Sequence, residues 1–157
     1  MMTPNNISEF IRHTYQTNEF IPLHAPSFGN AERNKVMSTL ESTFVSSVGP
    51  CVDELEEKLE RFTGATKATA TVNGTAALHA ALHLCGVTLN DLVITQALTF
   101  VATCNAIQQL GAAPIFVDIN RETLGLCPDA LTRFLDENCM RDEQGCVLKK
   151  TSQRVVA

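Results

Sequence analysis

The run Asn73-Gly74-Thr75-Ala76-Ala77 has the makings of an anion cup. A glycine lets a ligand approach the backbone, a threonine adds a hydroxyl at a helix start, and two alanines leave room beside unpaired N–H groups, so a phosphate could settle there. The run is neither a GxGxxG nor a Walker sequence, and the same residues suit an Asn-Gly turn followed by an ordinary capped helix. A second run, Thr95-Gln96-Ala97-Leu98-Thr99-Phe100-Val101-Ala102-Thr103, puts an aromatic ring at another helix start. That ring could stack on a flat heteroaromatic ligand whose phosphate fills the first cup; it could equally be a core Phe, with Thr99 as the helix cap. Other polar residues carry less. His79 and His83 stand four apart, a spacing that can bind a metal, but no third ligand is evident and no metal is expected. Asp118 closes a strand and reads as a hydrogen-bonding turn residue rather than a catalytic one.

Both runs follow β-rich segments. Residues 67–72 are expected as a strand leading into a helix over 76–85, stopped by Gly86. The grammar then repeats: strand 92–95, helix 100–110 ended by Gly111, strand 114–117, helix 128–135, and a last apolar segment at 154–157. Strands alternating with helices of this length imply right-handed crossovers and a parallel sheet covered on both faces, an α/β fold. Ligands of such sheets gather at the carboxyl ends of the strands, where both runs fall. Before Gly49 the pattern is irregular, with Pro22, Pro26 and Gly29 marking an arm that holds one helix near 31–42. Pro50 opens a helix in which Val52, Leu55, Leu59 and Phe62 recur at helical spacing; acidic residues on its other faces read as a solvated surface, and Gly64 ends it. The expected division is an arm over 1–49 and a sheet-bearing part over 50–157.

Composition narrows the function classes. The 157 residues are 45% hydrophobic and 18% charged, ordinary globular usage for a soluble core. A net charge of -5 repels polyanions, so neither nucleic acid nor an anionic membrane is an expected partner. Cys51, Cys85, Cys104, Cys127, Cys139 and Cys146 show no CxxC spacing, which favours reduced thiols. The first thirty residues hold no apolar stretch long enough for a signal peptide or membrane span, and a cytoplasmic protein is expected.

Taken in order, Phe44-Val45-Ser46-Ser47-Val48-Gly49, Asn73-Gly74-Thr75-Ala76-Ala77-Leu78-His79, the segment from Leu98 to Ile107 and the segment from Gly111 to Asp118 resemble the DegT/DnrJ/StrS sugar-nucleotide aminotransferases. Phe20-Ile21-Pro22-Leu23-His24 and the 45–49 run look most like the LegC-type members. The resemblance implies the large domain of a fold-type-I pyridoxal 5'-phosphate (PLP) enzyme. It places the cofactor phosphate on Thr75 and Ala76, with Gly74 shaping the turn, and stacks Phe100 on the pyridine ring. Ser46, Ser47 and Gly49 fall in a segment that borders the sugar-nucleotide site and the dimer interface in that family, which makes them substrate-side candidates; by their own chemistry they fit a loop whose serines cap the helix after Pro50. His24 and Asn105 match family positions without an assignable role. The resemblance further implies a homodimer that moves an amino group from glutamate to a nucleotide-linked 4-keto-6-deoxy sugar, in amino-sugar or surface polysaccharide biosynthesis.

Aminotransfer also needs a lysine that forms the Schiff base and an Asp beside the pyridine nitrogen. In the family both lie beyond the position of Ala157. Lys35, Lys58, Lys67 and the pair Lys149 and Lys150, which sit in a polar connector, match neither segment, so no catalytic residue is assigned. The chain is expected to be an amino-terminal portion that binds PLP poorly by itself. Histidine in place of the missing lysine would make the enzyme a sugar dehydratase, and a non-catalytic remnant of an interrupted gene is the other alternative. The family's sheet pairs the 67–72 strand with a late antiparallel strand, so that segment is expected to lack its neighbour and to expose an edge.

Overall fold

The computed structural model describes residues 3–143 and 145–156. It divides into two compact units, Met1–Cys51 and Val52–Ala157. In the first, helix α1 (Pro4–Tyr15) precedes helix α2 (Asn30–Glu41). Helix α1 falls where the sequence pattern is irregular. Thr3 caps it: its hydroxyl accepts from the Asn6 N–H, Asn6 Oδ1 accepts from the Thr3 N–H at 3.1 Å, and Pro4 occupies the first turn. The expected helix at 31–42 is α2, opened by Glu32 Oε2 accepting from the Gly29 N–H at 2.6 Å.

Helix α3 (Pro50–Thr63) has the expected bounds, ending where the Gly64 N–H reaches the Glu60 carbonyl at 2.9 Å and Gly64 adopts φ +75°. Its apolar spacing is right, yet Leu55, Leu59 and Phe62 are exposed. Residues 67–72 form no strand. Two of their amides are taken by the helix instead of by a ladder: Ala68 N–H donates to Glu60 Oε1 at 3.1 Å and Ala70 N–H to Glu56 Oε1 at 2.7 Å. Glu56 and Glu60, four residues apart, share the helix face that meets these two amides. These two glutamates are therefore not simply a solvated surface. The Ala68 N–H holds the Glu60 carboxyl below its ordinary range, Lys67 helps, and partial burial opposes. Glu56→Ala is expected to speed hydrogen exchange at Ala70 several-fold and leave the β-sheet amides unchanged, as read by exchange NMR.

Beyond this segment come α4 (Gly74–Leu84), β1 (Leu92–Gln96), α5 (Val101–Gln109), β2 (Ala113–Val117), α6 (Pro128–Asn138), the antiparallel hairpin β3 (Cys139–Asp142) with β4 (Gly145–Leu148), and β5 (Val155–Val156). The hairpin precedes the polar connector expected around Lys149 and Lys150, which lie in the turn after β4. The main sheet is parallel in the order β2-β1-β5, with Leu92 opposite Ala113 and Val155. Alternation along β1 separates two core layers. Val93 packs with Val87, Ile107 and Ala112 under α4 and α5, whereas Ile94 packs with Val117, Val155 and Cys139 under α6 and the hairpin. Both faces are covered, and the expected α/β class holds. No helix among the described residues is long and apolar enough to cross a membrane.

The rim where β1 begins is tied by Asp91 and Arg154. Arg154 Nε donates to Asp91 Oδ1 at 3.1 Å and Nη2 to Oδ2 at 2.5 Å, while Nη2 also donates to the Gly86 carbonyl. Asn90 N–H reaches the Gly111 carbonyl at 3.2 Å. The carboxyl ends of α4 and α5 thus converge at the start of β1. Since the two helices pack against each other, their amino ends lie toward the opposite rim, where β1 and β2 finish.

Candidate functional site

Helix α4 starts from Asn73, whose extended backbone leaves its side chain free to fold over the first turn. Asn73 Oδ1 accepts from the Ala76 N–H at 2.9 Å, the Asn73 carbonyl accepts from the Ala77 N–H at 3.1 Å, and the Thr71 hydroxyl donates to that same carbonyl at 3.0 Å. The amides of Gly74 and Thr75 have no partner among the described residues. Two N–H groups therefore face outward at the positive end of the helix dipole, with the half-buried Thr75 beside them. Gly74 does not have a positive φ, and a Cβ added there would meet nothing within 4 Å. Its contribution is open space in front of the amides rather than the geometry of a turn. Ala76, expected with Thr75 as a phosphate contact, has its amide already occupied by Asn73.

Phe100 is the N-cap of α5, with φ −72° and ψ 141°. Its ring is 79% exposed, which removes the core-Phe alternative. The Thr103 N–H donates to the Phe100 carbonyl at 3.1 Å, and the Thr99 hydroxyl pairs with that of Thr103 at 3.0 Å. Thr99 is thus one residue short of the cap and caps no N–H. Ala97 N–H extends the ladder to the Val117 carbonyl at 3.1 Å, anchoring the turn that carries the ring. Small donor cup and bare aromatic face both belong to the rim beyond the ends of β1 and β2.

A model of the DegT/DnrJ/EryC1/StrS aminotransferase family matches residues 26–140. The chain belongs to this family. GDP-perosamine synthase of Escherichia coli O157:H7 is 41% identical over 105 residues, 67% of this chain and 29% of its own. The spore coat polysaccharide biosynthesis protein SpsC of Bacillus subtilis (strain 168) is 42% identical over 111 residues, 71% of this chain and 28% of its own. Among solved structures, the putative sugar aminotransferase Spr1654 of Streptococcus pneumoniae in its PLP form superposes with a TM-score of 0.64 at 35% identity, covering 72% of this chain and 29% of that one. The same protein was solved in a PMP form. The chain thus spans under a third of the length of these relatives.

Family membership gives the start of α4 and the Phe100 ring a context. Ser46, Ser47 and Gly49 belong to the Met1–Cys51 unit, and Gly74, Thr75, Ala76 and Phe100 belong to the Val52–Ala157 unit. Ser46 and Ser47 are exposed and no described residue hydrogen-bonds their hydroxyls, so they do not cap α3. Gly49 has φ +139°, and a Cβ there would sit 2.5 Å from the Phe44 ring, so glycine is required by both backbone and neighbour. Asp118 is engaged in its own turn: Oδ1 accepts from the Ile119 N–H at 2.8 Å, and its carbonyl accepts from the Cys127 N–H at 3.0 Å. No group of His, Cys, Asp and Glu among the described residues could hold a metal, His79 and His83 included. The cysteines are free thiols, and burial pushes that of Cys139 up, with Cys146 adding to the effect. Lys58 pairs with Glu54 at 2.6 Å, Lys67 with Glu60 at 3.3 Å, and Lys149 donates to the Asp136 and Glu137 carbonyls at the end of α6.

Proposed function

We propose that this chain contributes the phosphate cup and ring-stacking face of a PLP-dependent sugar aminotransferase. The observation that carries the reading is the pairing, on one rim, of the unpartnered Gly74 and Thr75 amides with the exposed Phe100 ring. A phosphate ester offers only acceptors and suits that donor pair, and a pyridine ring suits the aromatic face. When bound, PLP supplies an aldehyde that carries the amino group and a ring that draws electrons from the reacting carbon. The chain's own part is to fix the phosphate end and to keep one ring face from water. Nucleotide-linked 4-keto-6-deoxy sugar is the proposed acceptor, in line with the name of GDP-perosamine synthase, with glutamate as donor. A cytoplasmic homodimer engaged in amino-sugar or surface polysaccharide biosynthesis completes the proposal, and Ser46, Ser47 and Gly49 are its substrate-side residues.

Pyridoxine phosphate and pyridoxine test the cup without aldehyde chemistry at surface lysines. Calorimetric titration of the chain should show a clear preference for the phosphate ester; equal affinities would overturn the reading. Phe100→Ala is expected to weaken binding of both ligands about tenfold, the value of one lost stacking contact of about 1.4 kcal/mol.

A further inference from the structure

We infer that Cys139 and Cys146 form a dithiol site that closes to a disulfide when it meets an oxidised low-molecular-weight thiol such as glutathione disulfide. The site does not depend on the PLP reading of the rim. In the β3–β4 hairpin Cys139 stands opposite Leu148, and Arg141 opposite Cys146. Side chains alternate along a strand, so residues 139, 141, 146 and 148 share one face and the two cysteines are diagonal neighbours on it. Cys139 is buried with Ile94, Val117 and Val155, and Cys146 packs against the same cluster. The thiols also hydrogen-bond to each other: burial first, and then the Cys146 thiol, push that of Cys139 up, with Lys149 opposing. The sulfurs thus already meet across the diagonal, in a register that the hairpin holds. The other cysteines are dispersed, with Cys51 in α3, Cys85 after α4, Cys104 in α5 and Cys127 before α6.

Cys146 is the more exposed of the two and reacts first. Its thiolate attacks glutathione disulfide and displaces one glutathione thiolate, leaving a mixed disulfide; the Cys139 thiolate then attacks Cys146 Sγ and displaces the second. One S–S bond breaks in the reagent and one forms in the hairpin. The dithiol gives up two electrons and two protons, and two molecules of reduced glutathione carry them away. Trypsin makes the product visible, because cleavage after Arg133, Arg141 and Lys149 leaves Cys139 and Cys146 on separate peptides, 134–141 and 142–149. The folded chain treated with glutathione disulfide, alkylated and digested should yield these two peptides as one mass that dithiothreitol separates. That linkage should form about tenfold more readily than in urea, and about tenfold more than any other cysteine pairing, since the fold holds the thiols together. The exposed Cys85 serves as the internal control, taking a glutathione adduct under the same conditions. Adducts on Cys139 and Cys146 without linkage would overturn the inference. So would free thiols at both while Cys85 is modified, or a linkage no faster in the folded chain than in urea. Cys146→Ala should leave Cys139 unmodified over the same interval, and a Cys139 adduct formed as fast as the parent linkage would count equally against the site.

Discussion

Asp91→Ala is expected to destabilise the Val52–Ala157 unit by about 3 kcal/mol, the cost of breaking a largely buried charge pair. Asp91 is 6% exposed and is the buried charged residue of the described core. Besides the two bonds from Arg154, its Oδ2 accepts from the Thr88 N–H at 2.8 Å and the Thr88 hydroxyl at 3.2 Å. Truncation strands all of these donors. It also loosens β5, since Arg154 carries the carbonyl that accepts the Leu92 N–H at 2.8 Å. Urea unfolding with an unchanged slope and a lower midpoint is the expected result. The pH dependence has a definite sign. Hydrogen bonding to Arg154 first, and to Thr88, holds the Asp91 carboxyl below the usual range against its burial. The unfolded chain, with an Asp value near ~3.9, takes up its proton before the folded one as pH falls. The contribution is whole above that unfolded value and disappears as pH drops through the lower folded one. Asp91→Ala should remove this part of the acid slope, and an unchanged slope would show that the pair does not act in this way.

Periodicity and stop signals made most of the α/β unit legible. The strands expected at 92–95 and 114–117 appear as β1 and β2, and Gly64, Gly86 and Gly111 end their helices with positive φ as the turn chemistry demands. Periodicity could not reveal partners. The 67–72 run has β-forming residues, but a strand exists only when something accepts and donates along its edge, and here Glu56 and Glu60 supply the acceptors instead. Helix α3 illustrates the same gap from the other side, with a correct apolar stripe and exposed Leu55, Leu59 and Phe62. Periodicity does not reveal the β3–β4 hairpin because its strands are four residues each and β3 ends in the charged Arg141 and Asp142, although Val147 in β4 is fully buried. At the start of α4, sequence chemistry left the allocation of the backbone amides open. Only the geometry shows that Asn73 consumes the Ala76 amide, leaving the two before it.

Ile107→Ala should have the largest effect on the folded state, about 3–4 kcal/mol, and little effect on the cup in molecules that remain folded. Ile107 is 1% exposed and packs with Val87, Val93 and Ala112, with Leu82, Leu110 and Val156 around them. The cavity cannot close easily, because Val93 and Val156 are held by the β1–β5 ladder on its far side. Against a total stability of about 5–15 kcal/mol that is a large fraction, so Ile107→Val, at about 1 kcal/mol, provides the graded measurement. Phe100 stands seven residues earlier, two turns back along the helix expected over 100–110. Its extended cap conformation takes it out of the helix and leaves it exposed to solvent. The two substitutions should therefore separate cleanly. Ile107→Val should lower the urea midpoint and leave pyridoxine phosphate affinity within about twofold, whereas Phe100→Ala should weaken the ligand and leave the unfolding free energy within about 0.5 kcal/mol of the parent. A Phe100→Ala midpoint that fell as far as that of Ile107→Ala would return the ring to the core and remove the stacking face from the site.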